Sequence, residues 1–407
     1  MKRVASVLRR LAVPLLAVLT ALIFGGIVII LTDFENLKNL GTDPLGTLGG
    51  AVQGVIAAYG AMLAGAFGDP GRMLTALQTG NANDISRAIR PLTETLVSAT
   101  PLIFTGLAIS ISFRAGMFNI GGDGQLLIGA MAATIAAIAL DGVLPSWLIL
   151  IVTIAVATLG GAAWGFVPGF LKARTGAHEV ITTIMLNYIG SLVVFFILTT
   201  TPSLRNPGNS TPVSKELTPI VDVPRLPFLD LPNVRLDYGF VVALLMAVAV
   251  SWLLFRTTKG FELRAAGFSP TAARYAGMSA GGSMMLAMSL SGGLCGMAGG
   301  FLVIGTVGQM SPDLSGGLGF TAIALALLAG LRPSGVVLSA LLFGALTQGG
   351  KRMGIDTGIP FDLLLFIMAL VIMFVAAPGL IRSIWRVRVS KPAPEIANVS
   401  PESAGTL

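Results

Sequence analysis

Apolar residues in this chain come in long unbroken runs. They show neither the period-two alternation of half-buried strands nor the single stripe of a soluble amphipathic helix. The first run, 11–32, carries no charge, and a helix needs roughly 20 such residues to cross hydrocarbon. Comparable runs recur at 95–113, 119–140, 146–170, 180–200, 238–255, 283–306, 319–331, 335–349 and 360–378. Lipid offers no partner to a free N–H or C=O, so continuous runs of this kind fold as helices. The pattern therefore predicts an all-α polytopic membrane protein of about ten transmembrane helices, with 11–380 a single membrane domain.

Composition agrees with that pattern: 54% of the residues are hydrophobic and only 11% charged, against about 25% charged in an ordinary soluble domain, and the mean hydropathy is +0.85. The charges then orient the map. Of 26 Lys and Arg, 16 fall on the side that holds both ends, including Arg114, Lys172, Arg174, Arg332 and four in the loop 256–282. The positive-inside rule makes both termini cytoplasmic, from a basic stretch at 1–10 to a tail at 381–407 expected to be disordered. The basic start followed by 11–32 reads as a retained signal anchor, its apolar stretch being too long for a cleaved signal. The net charge of +7 is accounted for by these flanks and forms no nucleic-acid-binding face.

Parity decides residues 50–67, GAVQGVIAAYGAMLAGAF, which are apolar enough to be an eleventh span. Another crossing there would move the later basic set outside. They are read as an interfacial helix within an external segment, 33–94. The runs 319–331 and 335–349 meet at Arg332-Pro333-Ser334-Gly335 and form either two short spans or a re-entrant hairpin. Residues 201–237 carry seven prolines and are expected to be an extended external loop.

The candidate chemistry is sparse. One cysteine, Cys295, and one histidine, His178, leave no material for a disulfide or for a metal site. Gly349-Gly350-Lys351-Arg352 lacks the rest of a phosphate-binding loop, so the chain is expected to bind no ATP itself and to need no cofactor. Asp123, Glu179 and Asp362 all lie near run ends, poor material for an ion-coupled carrier, and no clustered catalytic set supports an intramembrane enzyme.

Four segments stand out. In the loop 256–282, Phe261 to Ala266 reads as a short helix stopped by Gly267, followed by a second with Ser269 as N-cap, Pro270 in its first turn and Gly277 as stop. It is either a docking element for a cytoplasmic partner or an ordinary packed connection. Residues 114–125, RAGMFNIGGDGQ, interrupt two apolar helices with four glycines, and Asp123 is placed to cap a helix starting at Gly124. That break lines a pathway or makes a tight cytoplasmic turn. Gly161, Gly165 and Gly169, like Gly292, Gly296 and Gly300, recur every four residues and make smooth faces for close helix packing. After His178-Glu179, Thr183, Asn187 and Tyr188 share or adjoin one helical face, as substrate contacts or as interhelical glue.

On three stretches, 99–130, 178–189 and 260–278, the chain resembles permease subunits of bacterial ABC importers of the ribose and branched-chain amino acid type, above all their nucleoside branch. The resemblance covers about 90–380. It implies a paired permease, identical or homologous, two cytoplasmic ABC ATPases that bind the ATP, and an external substrate-binding lipoprotein in the bacterial plasma membrane. Carried onto this chain, it makes Glu262, Arg264, Ala265, Gly267, Ala272, Ala273, Tyr275 and Gly277 the ATPase-coupling element. Phe118, Asn119, Gly121, Gln125, Thr183 and Asn187 are the expected pathway residues. Asp123 stands where many relatives of that kind carry Glu. A nucleoside is the expected cargo, with a ribose-like sugar or an ion-coupled secondary transporter as alternative readings.

Overall fold

The computed structural model describes residues 2–33, 38–41, 43–226, 231–232 and 234–386. Pro227 of the proline-rich loop and the tail from 387 onward lie outside the described residues. Helix follows helix: α1 (Lys2–Thr32), α2 (Pro44–Phe67), α3 (Pro70–Thr79), α4 (Ala82–Arg114), α5 (Gly122–Leu140), α6 (Ser146–Thr175), α7 (Glu179–Thr200) and α8 (Tyr238–Arg256). A short pair follows, α9 (Thr258–Phe268) and α10 (Pro270–Tyr275). The chain closes with α11 (Ala280–Phe301), α12 (Leu318–Leu328), α13 (Pro333–Thr357), α14 (Phe361–Ala376) and α15 (Pro378–Ile384). Among the described residues the only extended pairing is two isolated bridges in the loop 201–237.

Among the described residues eight helices are long and apolar enough to cross a membrane, and α12 and α14 are shorter apolar helices. α1 begins at Lys2, so the basic stretch is helical and continuous with the first apolar run. α2 qualifies as a span by length and composition. It packs on α1, where Tyr59 donates to the Leu22 carbonyl, and on α13 and α4. A Cβ on Gly65 would sit 2.6 Å from Arg352 Cβ in the last third of α13, and Thr95 of α4 donates to the Ala66 carbonyl at 2.8 Å. α13 continues to Thr357, well past the apolar run, and carries Lys351, Arg352 and Asp356 in its final turns.

The centre is a seam between α6 and α11. The two glycine stripes read from the sequence face each other: a Cβ on Gly161 would lie 2.6 Å from Gly296 Cα, and one on Gly165 would lie 3.0 Å from Gly292 Cα. Backbone therefore touches backbone. Dispersion between closely packed helices replaces the hydrophobic driving force that lipid does not supply. Around this seam α4 and α5 are buried over most of their length, whereas α7 buries only 17% of its most apolar stretch.

Candidate functional site

Between α4 and α5 the chain turns at Arg114–Gly116 and then runs without helix through residues 117–120. Gly116 has φ +73°, a left-handed position open to glycine at little cost. The segment then buries a polar knot. Asn119 Nδ2 donates to Gln125 Oε1 at 2.9 Å and to Ser291 Oγ at 2.8 Å, while its Oδ1 accepts from the Gly121 amide at 2.9 Å. Ser291 lies eleven residues into α11, about 16 Å along a helix.

Here α5 starts, and its N-terminus is capped from another helix. Asn187 of α7 accepts from the Gly124 amide at 2.8 Å and donates to the Ile120 carbonyl at 2.9 Å. The sequence assigned that cap to Asp123. Asp123 already sits in the first turn of α5, so its side chain projects outward, and it accepts instead from the Gly319 amide at 3.0 Å, in the first turn of α12. Two helix N-termini therefore meet. A Cβ on Gly319 would fall 2.7 Å from the Gly122 carbonyl carbon, so only glycine permits the approach.

Their meeting forms one wall of a cavity of about 320 Å³, lined by Asp123, Asn187, Tyr188, Ser191, Asp313, Ser315 and Phe320 among others. That volume lies in the range of small-molecule sites, and helix N-termini offer partial positive charge to polar ligand groups. Tyr188 is 67% exposed at the cavity edge. The apolar residues Ile181, Met185, Leu192 and Phe196 continue its exposed face along α7.

The expected pathway residues separate on this geometry. Asn187 lines the cavity. Asn119, Gln125 and Thr183 are fully or almost fully buried, and the Thr183 hydroxyl donates to the Glu179 carbonyl of its own helix at 2.7 Å. They brace the wall without reaching the space. Gly121 holds the N-cap position of α5, where a Cβ would sit 3.1 Å from Thr183 Cβ. Phe118 is half exposed and stacks on Phe113 with centroids 4.3 Å apart. Ser191, Asp313, Ser315 and Phe320 were missed. The signal available for two of them, Asp313 and Ser315, was the break MSPDLSGG at 310–317 between two apolar runs.

At the basic end, α9 and α10 form the expected capped pair. Thr257 accepts from the Gly260 amide at 3.0 Å, Ser269 from the Ala272 amide at 3.3 Å, and Gly277 closes α10 at φ +79°. Gly267 does not stop α9, which runs on to Phe268. Its missing side chain serves a contact instead, since a Cβ there would sit 2.7 Å from Ala115 C and from Gly116 N. Ala273 is buried against Ala266 and Ala280, with Ala265 partly buried beside them. Glu262 pairs with Lys259 at 2.9 Å, and Arg264 lies 5.4 Å from the Phe255 ring centroid. Outward from the pair stand Phe268, 96% exposed, and Tyr275, 90% exposed, with Ala272 and Gly277 on the exposed surface.

The loop 201–237 is fastened near the other end of α4. Arg235 makes two bonds to Glu94 of α4, at 2.9 and 2.5 Å, and this pairing holds its guanidinium above the usual range. Asp237 caps α8 by accepting from the Gly239 amide at 2.8 Å. Burial pushes its carboxyl up to about 6, Asp222 adds to the rise, and the Gly239 amide opposes it.

The family described as branched-chain amino acid transport system / permease component matches residues 92–376. The guanosine ABC transporter permease protein NupP of Bacillus subtilis is 35% identical over 92% of this chain and 95% of its own length. The nucleoside ABC transporter permease protein NupB of Lactococcus lactis is 33% identical, covering 72% of this chain and 80% of that protein. The glucose ABC transporter permease protein TsgB13 of Haloferax volcanii is 34% identical, covering 70% and 75%. No solved structure matches the chain.

Proposed function

The chain belongs to the branched-chain amino acid transport system permease family, and from that membership we propose that it is the membrane subunit of an ATP-driven nucleoside importer. Substrate released by an external binding lipoprotein enters the cavity beside Asn187 and Tyr188. A second permease, identical or homologous, covers the exposed face of α7 and completes the pathway. The α9–α10 pair contacts a cytoplasmic ABC ATPase, which binds and hydrolyses the ATP, and the permease itself carries out no covalent chemistry.

The observation that carries this reading is the cavity itself: a space of about 320 Å³, walled by two helix N-termini. An aromatic ring and amide and carboxylate groups line it, a chemistry suited to a flat base joined to a hydroxylated sugar. NupP and NupB are named for guanosine and nucleosides, which supports that cargo over the glucose of TsgB13.

The test is uptake of labelled guanosine in cells, competed with other nucleosides, with ribose and with glucose, alongside identification of what co-purifies with the detergent-extracted chain. Nucleosides should compete and the two sugars should not, and an ABC ATPase should co-purify. Competition by a sugar alone overturns the cargo. Uptake that survives loss of the ATPase and collapses with a protonophore overturns the class. Within the contact surface, Phe268→Ser with Tyr275→Ser should weaken ATPase association roughly 30-fold, the loss expected for a 2 kcal/mol hot spot. Unchanged co-purification would place the docking surface elsewhere.

A further inference from the structure

The cavity wall and the α9–α10 pair are joined by a residue that the sequence marks only as one basic position among many, Arg114. Arg114 ends α4, and its Nε donates to the Leu331 carbonyl, just beyond the end of α12, at 2.7 Å. Leu331 has φ +55°, a left-handed conformation that costs a leucine energy and persists only where its surroundings hold it. The Arg114 guanidinium also lies 5.0 Å from the Phe255 ring centroid, and Arg264 approaches the same ring at 5.4 Å. Gly267 of α9 rests against the turn that follows Arg114.

These contacts close a frame. From Arg114 the chain climbs through 115–121 to Gly122, where the Asp123 carboxylate holds Gly319. From Gly319, α12 descends its 11 residues, about 16 Å, to Leu331 and back to Arg114. One clasp thus lies in the cavity wall and the other under the α9–α10 pair. α12 also packs on α4, where Ile109 and Phe113 meet Ala322, Ala326 and Leu331, and the Arg114 bond adds a directional tie between the end of α12 and the turn on which Gly267 rests.

We propose that Arg114 is the positioning residue of transport coupling: its bond to Leu331 makes the two helix N-termini of the cavity wall move as one body when α9 and α10 are displaced. The proposal rests on the permease reading above. Arg114 contacts neither substrate nor ATPase, so its removal should alter the yield of transport per ATP while leaving the assembled complex in place.

The test uses the purified complex in proteoliposomes, with ATP hydrolysis and labelled guanosine uptake measured together for Arg114→Lys and Arg114→Ala. Lysine retains the charge but carries a methylene at the Nε position and its donors one atom further out, so it cannot make the Leu331 bond in the same geometry while the segment stays in place. Both variants should assemble with the ATPase and hydrolyse ATP, with guanosine carried per ATP falling about tenfold. A second measurement places spin labels on Ser279 and Ser334. The distance between them should change in step with ATP binding in the unsubstituted complex and lose that response in Arg114→Lys. An unchanged transport yield in either variant, or loss of uptake that tracks loss of assembled complex in both, overturns the proposal. Failure of the permease reading itself looks different, because the unsubstituted chain would then bring down no ATPase.

Discussion

The α6–α11 seam and the α5–α12 wall lie side by side in one membrane domain, yet they are held by opposite means. In the seam, side chains have been removed until backbones touch, and contact depends on the absence of atoms at Gly161, Gly165, Gly292 and Gly296. In the wall, helix ends that lipid leaves without partners are held by side chains from other helices: Asn187 serves α5 and Asp123 serves α12. The first arrangement has one solution, since packed backbones cannot slide without clashing. The second consists of directional bonds that can lengthen or exchange while the helices stay intact. A transporter needs both, a fixed body and a wall that moves against it.

The largest effect expected from breaking this contrast is in the seam. Gly296→Leu places a side chain whose Cβ alone falls 2.9 Å from Gly161 Cα. No flexible neighbour gives way there, so the cost lies at or above the upper end of overpacking, about 3 kcal/mol or more. Loss of monodisperse protein in size-exclusion after heating is the readout. A variant that melts like the parent would show that the seam is not rigid.

A smaller effect belongs to the wall. Asn187→Ala leaves the Gly124 amide and the Ile120 carbonyl without their partner, costing roughly 1–3 kcal/mol, and Asn187→Asp keeps only the acceptor for Gly124. Detergent melting should rank the parent first, Asp second and Ala third, while guanosine uptake falls further than stability does. Uptake falling only in proportion to folded protein would make Asn187 a brace and nothing more.

The smallest effect sharpens the contrast by way of an ordinary local cap. Asp237 caps its own helix, and its carboxyl titrates near 6 in the folded chain against about 4 in an unfolded one. The folded form therefore binds the proton more readily, so this group's contribution to stability is greatest at low pH, falls between pH 4 and 6 and is flat above. Asp237→Asn retains an acceptor for Gly239 and removes that slope. Melting curves at pH 5 and pH 7 should show the parent losing about a degree or two relative to the variant as pH rises. Equal shifts in both would assign the titration to another group.

Much of this molecule could be read along the chain. Long apolar runs in lipid have one solution, and the runs at 146–170, 180–200 and 238–255 became α6, α7 and α8 with boundaries moved by a few residues. The caps of α10 were legible because Ser269, Pro270 and Gly277 act within one turn of themselves. Four-residue glycine spacing announced a packing face in α6 and another in α11. The sequence carried no statement that the two faces belong to each other.

What only the tertiary structure decided is long-range pairing. Asp123 and Gly319 are 196 residues apart, and Arg114 and Leu331 are 217 apart. Local propensity is silent on both. The same blindness sent Asp123 to the nearest helix start and gave Gly267 the role of a stop. Each residue is of a type that does those tasks locally, and each was taken by a partner that folding brought closer. In lipid, apolar length alone settles which segments are helices; which helix end each polar side chain completes depends on where the helices stand once packed.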